Sequence, residues 1–294
     1  MIRIGIIDHF LDEWHANMYP GWIRDPRHGG KFDVVSAWAN IDSPNGIPTD
    51  EWCKRNRVNR ALSRSELVDC CDAILVLSPD NPEYHEALSA EALMSGKPVY
   101  IDKTFALSLD SAKRMYETAR IHKTPLYSTS ALRYATELKW LTKHVDSGNR
   151  VEFASVRGPG SFATYGIHQI ELLVRAMGAG AQSVIAFGSN MAPILHFEYA
   201  DNRHSIMNHL KNCNFSIALQ TTHENCFVTD IMDGFWDGFI DDLLRFFKTR
   251  HVSVKEGEVC SAIAMYEAGY AALQNPGKRI QIPTGGNLSR QGGV

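Results

Sequence analysis

The sequence predicts a doubly wound parallel α/β domain followed by a second, α+β domain with an open, mainly antiparallel sheet. Three observations predict it. Short continuous apolar runs alternate with helical patterns through the first 127 residues, the rhythm breaks after Arg133-Tyr134, and several strand-like runs then follow one another without regular intervening helices. A chain of 294 residues is long enough for two domains that each bury a core. The boundaries fall at 1–127 and 128–283, with a Gly- and Ser-rich tail over 284–294 expected to be loose.

Ile2 to Ile7 is an apolar run of the kind found in a strand covered on both faces. A helix from about Asp12 to Tyr19 is expected to stop at Pro20-Gly21. Phe32 to Ala39 reads as the second strand, and a helix begins near Thr49, whose hydroxyl is expected to cap it. Ser63 to Val68 is a short helix, and Ala73 to Leu77, closed by Ser78-Pro79, is the clearest strand in the chain. Apolar positions recur at helical spacing from Pro82 to Ser95, and Gly96 supplies the left-handed residue that stops this helix. Pro98 to Ile101 is a strand, Leu109 to His122 a helix, and Leu126 to Ser128 a strand. Parallel β-α-β units of this length wind right-handed into a Rossmann-type sheet, whose ligands sit beyond the carboxyl ends of the strands where strand order reverses. Those ends supply Asp8, Asn40, Ser78-Pro79 and Asp102-Lys103.

Beyond this domain the pattern predicts a helix over Thr136 to Ser147, a strand over Val151 to Arg157 and a helix over Ile167 to Met177. Strands follow over Ser183 to Gly188, Ile194 to Tyr199 and Phe215 to Thr221. Helices over Gly234 to Thr249 and Val254 to Leu273 precede a last strand over Arg279 to Ile282.

Composition narrows the function. Apolar residues make up 44% and charged residues 21%, with a formal charge of -3, so no global field draws nucleic acid or an anionic membrane. The N-terminal apolar run is cut short by Asp8, and no segment approaches the roughly 20 apolar residues of a membrane helix, so a cytoplasmic protein with a small-molecule substrate is expected. The six cysteines form no C-x-x-C pair and read as reduced thiols. His9 with His15, and His204 with His209, lack metal spacing with nearby acids, so no metal is expected.

The block from Asp72 to Tyr134 resembles the Gfo/Idh/MocA family, which includes glucose-fructose oxidoreductase and inositol dehydrogenase. Its matching features are Ser78-Pro79 closing a strand, His85 on the next helix, Gly96-Lys97-Pro98-Val99, Asp102-Lys103-Thr104 where the family has E-K-P, and Ala131-Leu132-Arg133-Tyr134. The likeness continues through Gly166-Ile167-His168-Gln169-Ile170-Glu171. It implies NAD or NADP as cofactor and oxidation of a sugar, polyol or related hydroxy compound. It also implies a homo-oligomer formed through the open face of the second sheet. By this resemblance Lys103 and His168 are the catalytic pair. Lys103 polarises the substrate oxygen, with a pKa that can fall toward neutrality, and His168 faces it across the domain cleft to exchange a proton. Asp8, His9, Phe10, Asn40, Ser78, Pro79, His85, Asp102 and Lys103 are the cofactor-binding candidates, with His85 near the nicotinamide. Thr164, His168 and Arg133 are the substrate-binding candidates.

The sequence departs from that family in four places. Asp8, Phe10 and Glu13 stand where G-x-G-x-x-G lets the backbone approach the pyrophosphate at a helix N-terminus. Asp8, Asp12 and Glu13 thereby put three carboxylates near a dianionic group, and two unit charges 4 Å apart repel by about 4 kcal/mol at an effective dielectric of 20. The acid that holds the adenosine ribose is replaced by Asn40 or shifted to Asp42, and Thr164 stands where an aspartate precedes the histidine by one helical turn. The stretch between Arg157 and Gly166 is also short for the family. These departures support an alternative in which a family-like scaffold has lost the dinucleotide and binds a ligand or partner.

Overall fold

The computed structural model describes residues 1–146, 149–223, 226–230 and 232–283. The tail expected over 284–294, and Ser147 at the end of the helix expected from Thr136, lie outside them. The chain divides into two compact units. The first holds residues 1–106, 110–129 and 239–254, and the second holds 107–109, 130–238 and the chain from 255 onward. Where the sequence reading draws one boundary at 127/128, the structure thus returns residues 239–254 to the first unit.

In the first unit, β1 (Ile2–Asp8), β2 (Phe32–Ala39), β3 (Asn59–Arg60), β4 (Ala73–Val76), β5 (Val99–Ile101) and β6 (Leu126–Tyr127) form one sheet in the order β3-β2-β1-β4-β5-β6. Every pairing is parallel. The helices of this region are α1 (Trp14–Ile23), α2 (Thr49–Asn56), α3 (Arg64–Cys70), α4 (His85–Leu93) and α5 (Leu109–Ile121). β1 and β4 are buried along nearly their whole length, which is why they read as unbroken apolar runs. Gly5 lies in β1 because a Cβ there would sit 2.5 Å from Leu67 and 2.9 Å from the Cys71 sulfur, so α3 packs against bare backbone. Strand order reverses between β1 and β4, and the carboxyl ends of the two strands open the crevice of a doubly wound sheet.

Two helix ends differ from expectation. α1 runs through Pro20 to Ile23, because proline forfeits a single intrahelical bond while the buried Tyr19, Pro20 and Ile23 hold the turn. α2 is capped by Asp42, whose carboxylate accepts the Thr49 N–H at 2.8 Å, in place of the Thr49 hydroxyl. The Gly96-Lys97 pair is structural as well as a motif. Gly96 takes a φ of 71°, and the Lys97 ammonium donates to the carbonyls of Val68 and Cys71 at the carboxyl end of α3.

The second unit contains α6 (Lys139–Asp146), β7 (Val151–Gly158), α7 (Phe162–Met177), β8 (Ala181–Ser189), β9 (Ala192–Tyr199), β10 (His204–His209), β11 (Ser216–Thr221) and β12 (Cys226–Thr229). After α8 (Phe235–Thr249), most of which belongs to the first unit, come α9 (Glu256–Gln274) and β13 (Arg279–Gln281). The sheet order is β12-β11-β7-β10-β9-β8-β13, antiparallel except for β7 with β10. α7 and α9 cover one face, which accounts for the alternating burial of β7 and β10. β10 carries too few apolar residues to be read from pattern alone, β12 is only four residues long, and α7 begins five residues before its expected start because Ser161 caps it. Among the described residues no helix is long and apolar enough to cross a membrane.

Candidate active site

The first cluster lies at the carboxyl end of β5. Asp102 is only 2% exposed, and its carboxylate bonds the His15 ring Nδ1 and accepts the Tyr100 hydroxyl at 3.1 Å and the Lys103 N–H at 2.8 Å. Burial alone would raise its pKa. The charge and hydrogen bond of His15, with the Lys103 charge and N–H, outweigh burial and hold it at about 2. The ionised Asp102 therefore fixes the backbone of the half-buried Lys103 from below and ties β5 to the first turn of α1. Sequence reasoning missed His15 as a partner, because the contact joins residues 87 apart and no local spacing announces it.

The glycine-less turn after β1 is organised by its own acids. Glu13 caps α1, accepting the N–H groups of His15 at 2.7 Å and of Ala16. Those are the donors that a Rossmann turn offers to a diphosphate, so a carboxylate of the chain stands where a phosphate would. Asp8 is 1% exposed, accepts the His9 N–H at 2.6 Å, and keeps Oδ2 buried without a partner among the described residues. Asp12 is bound by the Asn17 amide and the Ile47 N–H, and a Cβ on Gly46 would collide with it at 2.1 Å. Only a glycine lets the loop after β2 close on that carboxylate.

These three acids do not share one charge state. Burial, and next the Glu13 charge, push Asp8 well above the carboxylate range, while burial pushes Glu13 up to about 7. Asp12 is held below its ordinary value by Asn17 and the Ile47 N–H. The sequence reading counts three carboxylates near a dianionic group, and their surroundings shift them in different directions. Burial thus favours the neutral, hydrogen-bond-donating form of Asp8 and of Glu13, and the Asp8 Oδ2 has no partner among the described residues. In that respect the residues fit a dinucleotide, provided Glu13 yields the α1 N-terminus.

The remaining cofactor candidates divide. His9 stacks on Tyr84, centroids 4.1 Å apart, and its Nδ1 pairs with the Asn40 amide at 3.3 Å, so His9 and Asn40 border the crevice together. Phe10 is half-buried beside His9. Ser78 adopts a φ of 56° and donates its hydroxyl to the Asn81 carbonyl at 3.1 Å, which turns the chain into Pro79 at the end of β4. Asp42 accepts the Thr49 N–H at the start of α2. His85, expected near the nicotinamide, is wholly buried, with Nε2 2.6 Å from the Leu77 carbonyl and Nδ1 3.1 Å from the Phe105 carbonyl. Burial lowers its pKa, and the neutral ring, with one N–H, donates to either the Leu77 or the Phe105 carbonyl but not to both. These contacts give His85 a structural part at the end of β4.

The second cluster is built on α7, within the other unit. The Ser130 hydroxyl lies 2.6 Å from His168 Nδ1 and accepts the Leu132 N–H, while the Ser130 N–H donates to Glu171 at 2.8 Å. His168 is half-buried against Phe215 and Tyr165. Thr164 sits one turn earlier on the same helix face, exposed, with its hydroxyl 2.9 Å from that of Ser161 in the α7 cap. Arg133, expected at the substrate, is instead 7% exposed and bonded to Glu258 at 2.5 Å, with Glu171 at 4.0 Å. Its charge is spent inside the unit. Ser130 could have been found from sequence as the capping serine immediately before Ala131-Leu132-Arg133-Tyr134.

Residues 31–129 match the family model described as oxidoreductase family, NAD-binding Rossmann fold; the match begins after the unusual first turn. The solved structures it resembles include scyllo-inositol dehydrogenase from Lactobacillus casei with bound NAD(H) and scyllo-inositol, at 14% identity and TM-score 0.79, covering 96% of this chain and 99% of that one. A probable dehydrogenase from Thermotoga maritima matches at 15% identity and TM-score 0.78, again with 96% and 99% covered. The WlbA dehydrogenase from Bordetella pertussis in complex with NADH and UDP-GlcNAcA matches at 16% and 0.77, with the same coverage. At these identities the likeness establishes the fold. No curated protein sequence matches the chain.

Two measurements check this description. His85→Ala should lower unfolding stability by about 2–4 kcal/mol in urea titrations, since it empties a buried site and strands carbonyl acceptors; a loss below half a kcal/mol would return His85 to the crevice. Glu13 holds its proton more tightly in the folded chain, at about 7 against an ordinary 4.5. Its contribution is therefore full below pH 4.5 and lost as pH rises through 7. Thermal unfolding should show the midpoint of Glu13→Gln falling less than that of the parent between pH 5 and 8, and parallel curves would refute the assignment.

Proposed function

Because its residues 31–129 belong to the Gfo/Idh/MocA oxidoreductase family, we propose that the chain is an NAD(P)-dependent oxidoreductase acting on a CH–OH group of a sugar, polyol or related hydroxy compound. The observation that carries the reading is the buried, ionised Asp102, which anchors Lys103 at the carboxyl end of β5. Ser78-Pro79, Asn40, His9 and Asp8 are the residues that would hold the dinucleotide, and bound nicotinamide supplies the hydride acceptor. Lys103 donates a hydrogen bond to the substrate oxygen and favours the charge that gathers there. In this reading His168, whose Nδ1 lies against the Ser130 hydroxyl, is the group that exchanges the hydroxyl proton. The alcohol carbon loses its hydride and the oxygen its proton, so a carbonyl forms and the reverse reaction returns both. The reading includes a cytosolic location and a homo-oligomer, both resting on family likeness.

A second reading, a scaffold that has lost the dinucleotide and binds a ligand or partner, is favoured by Glu13 occupying the helix N-terminus. Titration of the purified protein with NADH and NADPH by fluorescence and calorimetry separates the two. The enzyme reading expects saturable binding of at least one, tightening as pH falls through 7 because a protonated Glu13 leaves the α1 N-terminus more readily. Silence at millimolar cofactor selects the scaffold. With cofactor bound, Lys103→Ala should cut turnover on a responsive polyol by about 10²- to 10⁴-fold with cofactor affinity nearly unchanged; retained turnover would remove Lys103 from the chemistry.

A further inference from the structure

We infer that His196, Glu198 and His204 form a binding site for one divalent transition metal of the zinc class on the open face of the second-unit sheet. His196 and Glu198 stand two residues apart on β9 and therefore share a face. His204 on β10 lies directly opposite Glu198, and His196 lies opposite Ile206, so the two histidines are diagonal neighbours. Their donor atoms, with a Glu198 oxygen, all fall within 4.8 Å of one another. His196 Nε2 and His204 Nδ1 are 3.0 Å apart, with the rings nearly parallel at 22° and centroids 5.0 Å apart.

That nitrogen separation is informative. Two imidazoles so close cannot both carry a proton on the facing nitrogens without repulsion; they share one proton or one cation. A tetrahedral zinc with bonds of about 2.0–2.1 Å sets its nitrogen ligands about 3.3 Å apart, so the pair needs to open by only a few tenths of an ångström. Glu198 is already oriented. Ser183 on β8 and Arg279 on β13 both donate to its Oε2, and Oε1 carries no bond among the described residues. Groups that grip the far oxygen of a ligating carboxylate set its direction. Two imidazoles and one carboxylate favour zinc, cobalt or nickel over magnesium or calcium, which demand oxygen donors. With three protein ligands, a fourth position remains for water or an incoming donor. Arg279 offsets the Glu198 charge, so affinity should be weaker than that of a closed four-ligand site.

The test uses untagged, metal-free, full-length protein. Calorimetry with zinc chloride should give one ion per chain with micromolar affinity, unchanged by excess magnesium. His196→Ala, Glu198→Gln and His204→Ala should each weaken it at least about tenfold while circular dichroism stays that of the parent. Cobalt should give visible bands of a tetrahedral nitrogen-oxygen site. Absence of zinc binding, equal binding by the three variants, or a thiolate charge-transfer band placing the ion on the free cysteines would each overturn the proposal.

Discussion

The ionised carboxylate of Asp102 is the constraint on which the first unit's crevice depends. A charge so deeply buried survives only with compensation, and it has three partners from three places: the His15 ring on α1, the Tyr100 hydroxyl within β5, and the N–H of Lys103. Each partner is thereby positioned. The first turn of α1 is drawn to the end of β5, and Lys103 cannot drift from the strand end without stranding a buried charge. The Asp102 side chain is short enough to accept the N–H of the residue that follows it.

Around this fixed charge the other acids of the crevice are graded by their surroundings. Asp8 is driven toward the neutral form by burial and then by the Glu13 charge, and Glu13 by burial, whereas Asp12 is held low by donors from α1 and the loop after β2. A turn that looks hostile to phosphate when its acids are counted is less so when they are protonated. Its real obstacle is local competition, because Glu13 already satisfies the free N–H groups at the start of α1. An anion that binds there must replace a carboxylate the chain supplies itself, and the pH at which Glu13 gains its proton sets how readily that happens.

The parallel sheet was legible because strands buried on both faces leave unbroken apolar runs, as in Ala73 to Val76, and because Gly96 and Ser63 mark helix ends chemically. β10 escaped because His204-Ser205-Ile206-Met207-Asn208-His209 is apolar only on the face that α7 covers. Of the candidate residues, Lys103 and His168 were visible through family likeness, but what holds them was not: Ser130 and His15 act across 38 and 87 residues of sequence. Arg133 and His85 stand in the motif, and only the structure reveals their partners, Glu258 for Arg133 and backbone carbonyls for His85. The histidine and glutamate cluster was invisible for the same reason, since it exists through strand register and not through spacing.

The division of crevice acids into one held low and two pushed upward is tested most directly by carbon-13 NMR of the Asp and Glu carboxyl carbons across pH, with Asp102, Asp8 and Glu13 assigned by single substitution. The account predicts a Glu13 midpoint near 7, an Asp8 midpoint well above the ordinary carboxylate range, and an Asp102 signal that stays ionised down to about pH 2. Midpoints for all three clustered near 4 would contradict it.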